Sequence, residues 1–285
     1  MSLVEALLLG TLQALTEFLP VSSSGHLRLA HAFLGQAAPD DLLFDLVLHL
    51  GTLAAVAVVF GRDILGFAKS AGVGLMRAAR LGPAAAIRES EGLRMTLLIV
   101  LASIPTAIIG ILLKKPLESQ AIGVVGVALL LVANGAALWS SRFVPPTKAS
   151  TESPWGVSGI TPGKALLIGV AQGIAVLPGI SRSGSTIVAA LWLGAQRERA
   201  AQFSFLLAIP AILGAFVLQA GSYSSLAEND AQLTAYLLGG AVSAGLGIAA
   251  LRLLLKLLRS ARFHHFAWYC WGLAALALVA RSLLD

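Results

Sequence analysis

A carboxylate, three hydroxyls and an imidazole fall within ten residues of one another near the start of the chain, in Gln13-Ala-Leu-Thr-Glu17-Phe-Leu-Pro20-Val-Ser22-Ser23-Ser24-Gly25-His26. Gln13 and Glu17 are four apart and share one helix face. Pro20 lacks an N–H and disfavours helical backbone at Leu19, so it ends that helix. The serines that follow are strong N-caps for a new one. A helix start presents free N–H groups and partial positive charge, which suits phosphate. A second segment, Leu177-Pro-Gly-Ile-Ser181-Arg182-Ser183-Gly184-Ser185-Thr186, repeats the design with a Pro-Gly break and a hydroxyl cap. It adds Arg182, whose fork of donors matches phosphate oxygens.

These groups must be positioned inside a membrane. The chain has 285 residues, of which 57% are hydrophobic and 12% charged, against roughly 25% charged in a soluble domain. Mean hydropathy is +0.85. Long apolar runs at 42–60, 95–113, 122–139, 203–221, 235–255 and 268–284 each approach the ~20 residues that cross a hydrocarbon core. They lack the polar stripe of a soluble helix. The net charge of +6 does not point to nucleic acid, because the cations sit in short segments between apolar runs. Cys270 is the chain's one cysteine, which excludes an internal disulfide and a cysteine-rich metal site; its expected role is that of a small buried hydrophobe. No cleavable signal peptide is expected.

Loop charges give an orientation. Segments 62–94, 142–164, 197–199 and 252–262 carry Lys and Arg, whereas 36–41 and 222–230 carry acids and neither cation. The first set is expected in the cytoplasm and the second outside. Six spans then leave 1–35 beginning and ending outside and 164–200 beginning and ending inside, as re-entrant helical hairpins. A shift of 159 places Gly10 on Gly169, Gln13 on Gln172, Ser22 on Ser181, Ser24 on Ser183 and Gly25 on Gly184. The expected fold is all-α: one polytopic membrane domain over 1–285, with six transmembrane helices and two re-entrant hairpins. Its halves, about 1–142 and 160–285, form an inverted repeat joined by loop 143–159. Such folds build their site near the midplane from the broken helices.

Blander readings exist for these residues. Ser and Gly at small-residue spacing also serve helix packing, and Glu17 with Arg182 could be a structural ion pair. A pair alone accounts for neither His26 nor the flanking hydroxyls, and polar residues at membrane depth are functional by default.

The stretches QALTEFLPVSSSGH (13–26) and LPGISRSGST (177–186) resemble the two signature motifs of the bacterial undecaprenyl-pyrophosphate phosphatases, the bacitracin-resistance type. The resemblance continues through FDLVLHLGTLAAV (44–56) and FSFLLAIPAILGA (203–215) and covers essentially the whole chain. The family's first motif reads Glu or Gln, three residues, then Glu; Gln13 and Glu17 satisfy it with one carboxylate fewer than the acidic option. The resemblance implies an inner-membrane enzyme that removes the terminal phosphate of undecaprenyl pyrophosphate at the outer face. That reaction recycles the lipid carrier for peptidoglycan synthesis. It also implies a divalent cation, magnesium or calcium, and a link to bacitracin resistance, since that drug binds the pyrophosphate substrate.

On this reading Arg182 and the helix starts at Ser22, Ser24, Ser181 and Ser183 hold the pyrophosphate, and Thr186 contacts phosphate or caps a helix. Glu17, supported by Gln13, binds the cation or orients the nucleophile. Three nucleophiles stay open: Ser23 activated by Glu17 or His26, His26 itself, and a metal-bound water with His26 as general acid. Ser23 is favoured because it shares a cap with His26. An apolar wall is expected beside the motifs for the polyprenyl tail. His49, four residues after Asp45, is expected either to line the cavity or to contact a neighbouring helix. The rival classes are an inverted-repeat transporter or lipid flippase, a lipid phosphatase of the acid-phosphatase type, and a structural membrane protein. The second lacks its histidine shortly after Arg182; the third leaves the intramembrane Glu, His and Arg unexplained. The bilayer and a polyprenyl pyrophosphate are the expected partners, and a homodimer stays open.

Overall fold

A computed structural model of the chain describes residues 2–33, 42–118, 122–145, 157, 159–218, 230–260 and 262–284. Its helices are α1 (Leu3–Phe18), α2 (Ser23–Phe33), α3 (Leu42–Val59), α4 (Gly61–Leu81), α5 (Pro83–Glu89), α6 (Glu91–Glu118), α7 (Val124–Ser140), α8 (Pro162–Ile174), α9 (Arg182–Trp192), α10 (Arg197–Leu218), α11 (Asp230–Arg259) and α12 (Phe266–Leu284). Among the described residues, strand-like pairing is confined to one isolated bridge between Val157 and Ile160. The acidic segments 36–41 and 222–229 and most of linker 143–159 lie outside the described residues.

Among the described residues, five helical stretches, centred on α6, α7, α10, α11 and α12, are long and apolar enough to cross a membrane. The apolar α3 brings a sixth, passing the same test of length and composition together with α4, from which it is bent by 76° at Phe60. These match the six apolar runs, and the protein is an all-α, multi-pass membrane protein. Burial supports this. Leu8, Leu112, Val217 and Leu283 are well exposed, while Gln13, Glu17, Asn134, Gln172, Ser181, Ser183 and Thr186 are buried. Apolar outside and polar inside is the arrangement that lipid permits, since acyl chains do not penalise an exposed leucine as water does. The 76° bend lays a helix with Lys69, Arg77 and Arg80 beside exposed Leu65 and Met76 after the first span.

Two short helix pairs stand apart from the spans. By rise per residue α1, α2, α8 and α9 reach only about 16 to 24 Å, against a core of about 30 Å. Each pair breaks where the sequence has its Pro: α1 ends at Phe18 before Pro20, and α8 ends at Ile174 before Pro178. The members of each pair touch one another, α1 lies along α11, and α8 lies along α6. Those contacts are glycine-mediated. A Cβ at Gly10 would lie 2.6 Å from the Gly239 carbonyl oxygen, and one at Gly169 would collide with that of Ala102. Small residues at these crossings bring backbones together where lipid supplies no hydrophobic drive. The chain thus carries the α1–α2 break and the α8–α9 break into the space between the long helices.

Candidate active site

The two breaks meet at Glu17, which lies in the last turn of α1 and is 8% exposed. Gln13 Nε2, one turn earlier, donates to its Oε2 at 2.9 Å. Ser23 Oγ, at the first residue of α2, donates to the same oxygen at 2.6 Å. Arg182, at the first residue of α9, forms an ion pair with Oε1 through Nη2. His49 of α3 brings Nε2 to 3.5 Å from Oε2. Its Nδ1 donates to the Asp45 carbonyl at 2.7 Å, so the neutral ring turns its basic nitrogen toward Glu17. That contact is attractive only when one of the two groups holds a further proton. Gln13 Oε1 is buried without a hydrogen-bond partner.

The local backbone explains this convergence. Ser22 has φ 69°, a left-handed conformation that costs a serine about 1 to 2 kcal/mol and persists only where its surroundings fix it. Its Oγ accepts from Gly25 N at 3.2 Å and from Gly179 N, across the other break, at 3.0 Å. Its carbonyl accepts from His26 N at 3.1 Å and from His26 Nδ1 at 2.8 Å. The turn reverses the chain so that Ser23 faces back toward Glu17. The second break uses the same cap 159 residues later: Ser181 Oγ accepts from Gly184 N at 3.1 Å. Each cap also touches the hydroxyl two residues on, Ser22 with Ser24 at 3.4 Å and Ser181 with Ser183 at 3.1 Å.

The structure therefore brings Gln13, Glu17, Ser23 and Arg182 together and gives the other candidates different neighbours. Ser22 and Ser181 spend their hydroxyls on backbone N–H groups. Ser183 Oγ donates to the Phe18 carbonyl at 3.0 Å. Thr186 is fully buried, donating to the Arg182 carbonyl at 2.8 Å and pairing with the Ser204 hydroxyl of α10. His26 bonds to other partners: Nε2 accepts from the Tyr269 hydroxyl at 2.8 Å, and the two rings stack with centroids 5.6 Å apart. Cys270 is buried, as expected, and its Sγ accepts from Asn134 Nδ2 at 3.3 Å. Asn134, Tyr269, Thr52 and Ser204 were not anticipated. Asn134 had a legible signal, an amide inside an apolar run.

A narrow cleft reaches this cluster. Its lining mixes polar Glu17, Thr52, Arg182, Ser183 and Ser204 with apolar residues of α3 and α10, among them Val56, Phe205, Ala208 and Ile212. Its volume is about 10 Å³, room for about one water, so the cleft must widen to admit a pyrophosphate. Chemically, the cluster offers a hydroxyl on a carboxylate, a guanidinium that can leave the carboxylate for an anion, and an amide oxygen free to ligate.

Fold and site together define a polytopic membrane protein with a buried acid, arginine and serine held between two broken helix pairs. The family model described as bacitracin resistance protein BacA matches residues 6–276, and the chain belongs to that family. A protein from Desulfatibacillum aliphaticivorans named undecaprenyl-diphosphatase is 46% identical over 97% of this chain and 98% of its own length. One of the same name from Desulfosudis oleivorans is 44% identical over 96% and 97%. Another from Methanosphaera stadtmanae is 36% identical over the full length of both.

Proposed function

We infer that the chain is an undecaprenyl-diphosphatase, which hydrolyses undecaprenyl pyrophosphate to undecaprenyl phosphate and inorganic phosphate. The observation that carries this is end-to-end similarity to proteins of that name, and the Glu17–Ser23–Arg182 cluster supplies groups suited to the reaction. The reaction returns the lipid carrier to peptidoglycan synthesis, and it confers bacitracin resistance by removing the lipid that the drug binds. The family and the cationic segments support a bacterial inner membrane location with the cleft opening to the periplasmic side. The two broken pairs are re-entrant hairpins on this reading, one from each half of an inverted repeat.

Ser23 Oγ attacks the terminal phosphorus as its proton passes to Glu17 Oε2, the oxygen it already touches. A bond forms between Ser23 and phosphorus, the bond to the bridging oxygen breaks, and undecaprenyl phosphate leaves with the proton handed on by Glu17. Arg182, drawn from Glu17 by the incoming pyrophosphate, grips the transferring phosphoryl oxygens. Water, deprotonated by the ionised Glu17, attacks the phosphoserine; the bond from Ser23 Oγ to phosphorus breaks, Glu17 returns the proton to Ser23 Oγ, and inorganic phosphate leaves. His26 sets the turn through Ser22, while Ser181, Ser183 and Thr186 fix the start of α9.

The residues present fit a divalent cation borne by the substrate. Glu17 and the unpartnered Gln13 Oε1 are hard oxygen donors suited to magnesium or calcium. Among the described residues no group of three or more His, Cys, Asp or Glu side chains is placed to hold a metal, so pyrophosphate oxygens would have to complete its ligand set. When bound, the cation supplies charge neutralisation on those oxygens.

Phosphate release from undecaprenyl pyrophosphate by purified protein in detergent tests the assignment. Release with magnesium or calcium and none in EDTA is expected. Folded protein that releases no phosphate with either cation is instead a carrier, for which paired helix breaks are also suited.

A further inference from the structure

Asn134 lies in α7, 114 residues from Pro20 and 47 from Ser181, yet one amide bonds to both breaks. Its Nδ2 donates to the Pro20 carbonyl at 2.9 Å, and its Oδ1 accepts from Ser181 N at 3.0 Å. The second Nδ2 hydrogen meets Cys270 Sγ of α12 at 3.3 Å. Asn134 is 2% exposed. A helix break leaves backbone groups that the helix would have paired, and lipid offers no water to take them. Here a carbonyl from one break and an N–H from the other are answered by opposite ends of one planar group. The spacing between those ends is rigid, so the amide fixes the separation of the breaks as well as satisfying them.

We propose that Asn134 is the positioning residue that holds the two halves of the site in register. Three residues beyond Pro20 stands Ser23, and next to Ser181 stands Arg182, so the amide sets where the hydroxyl and the guanidinium sit relative to Glu17. Three direct ties also cross between the breaks: Ser22 to Gly179, Ser183 to Phe18, and Arg182 to Glu17. The last is the one an incoming pyrophosphate competes for. Asn134 remains with the other two, anchored on the long helix α7, and keeps the breaks aligned while the ion pair is apart. The role rests on the phosphatase reading above.

Two variants and a control test it. Asn134→Leu removes all three bonds with little change of shape; Asn134→Asp keeps the acceptor for Ser181 N and loses the donor to Pro20. Ser243→Ala deletes an equally buried tie elsewhere, from α11 to the Leu48 carbonyl at 2.9 Å. The readouts are kcat and KM for phosphate release and amide deuterium exchange of the peptide spanning 178–184. For Asn134→Leu, kcat falls about 10²-fold, the scale of a misplaced reacting group, KM stays within about threefold, and exchange of that peptide quickens. Asn134→Asp keeps the exchange slow and loses kcat to an intermediate degree, which also covers the case in which the leucine variant does not fold. Ser243→Ala changes neither readout. Wild-type kcat in Asn134→Leu, or unchanged exchange, overturns the role. Exchange needs no turnover, so an inactive wild type would count against the phosphatase reading while the exchange arm still decided for or against the bracket.

Discussion

Around Glu17, burial of a carboxylate at membrane depth is offset by Arg182, Ser23 and Gln13 together. Removing one partner of such a pair strands the other charge, which costs about 3 to 5 kcal/mol. Arg182→Met should therefore lower the thermal unfolding midpoint in detergent markedly. The double variant Glu17→Gln with Arg182→Met should recover most of that midpoint and none of the phosphate release. Recovery of stability without activity separates the ion pair's structural contribution from its chemical one. Gln13 makes a second case. Gln13→Glu adds an anionic oxygen beside Glu17, and ligand charge tunes affinity for hard cations. A magnesium titration of activity should show half-activation at a concentration lower by about tenfold or more. An unchanged titration would remove position 13 from the cation's surroundings.

The helix breaks are elements in their own right, and their geometry depends on two backbones that nearly touch. Gly179 has φ +110°, and a Cβ there would lie 2.7 Å from both Leu130 Cβ and the Val127 carbonyl oxygen of α7. Gly179→Ala should destabilise by at least about 1 to 3 kcal/mol, the range for strained backbone, and should lower kcat by moving the start of α9. Thermal unfolding and phosphate release check both. The breaks were legible in the sequence because Pro20 and Pro178 punctuate apolar runs and serine caps follow. The spans were legible by length and composition. What stayed illegible is non-local. The Asn134 bonds join α7 to residues 114 and 47 positions away, and helical periodicity does not say which face of α7 meets a break. His26 was grouped with Glu17 by nearness in sequence. The left-handed Ser22 instead turns it toward Tyr269, 243 residues on.

For the whole molecule, a lipid substrate requires a route from a polar site to the hydrocarbon, and the cleft between α3 and α10 has that character, with Glu17 and Arg182 in the same lining as Val56, Phe205 and Ile212. Ala208→Phe narrows this passage. It should raise KM for undecaprenyl pyrophosphate more than for a short prenyl pyrophosphate, by about tenfold in the ratio, the scale of a lost hydrophobic contact. Equal effects on both lipids would place the tail elsewhere. The central claim is that Ser23 attacks phosphorus with Glu17 as its base. Its most direct measurement is steady-state phosphate release from undecaprenyl pyrophosphate by Ser23→Ala in the same micelles as wild type. Loss of a nucleophile that acts as a unit with its base predicts a fall of about 10³-fold or more, with the unfolding midpoint close to wild type. A Ser23→Ala protein that hydrolyses at the wild-type rate would contradict the account and pass the attack to His26 or to water.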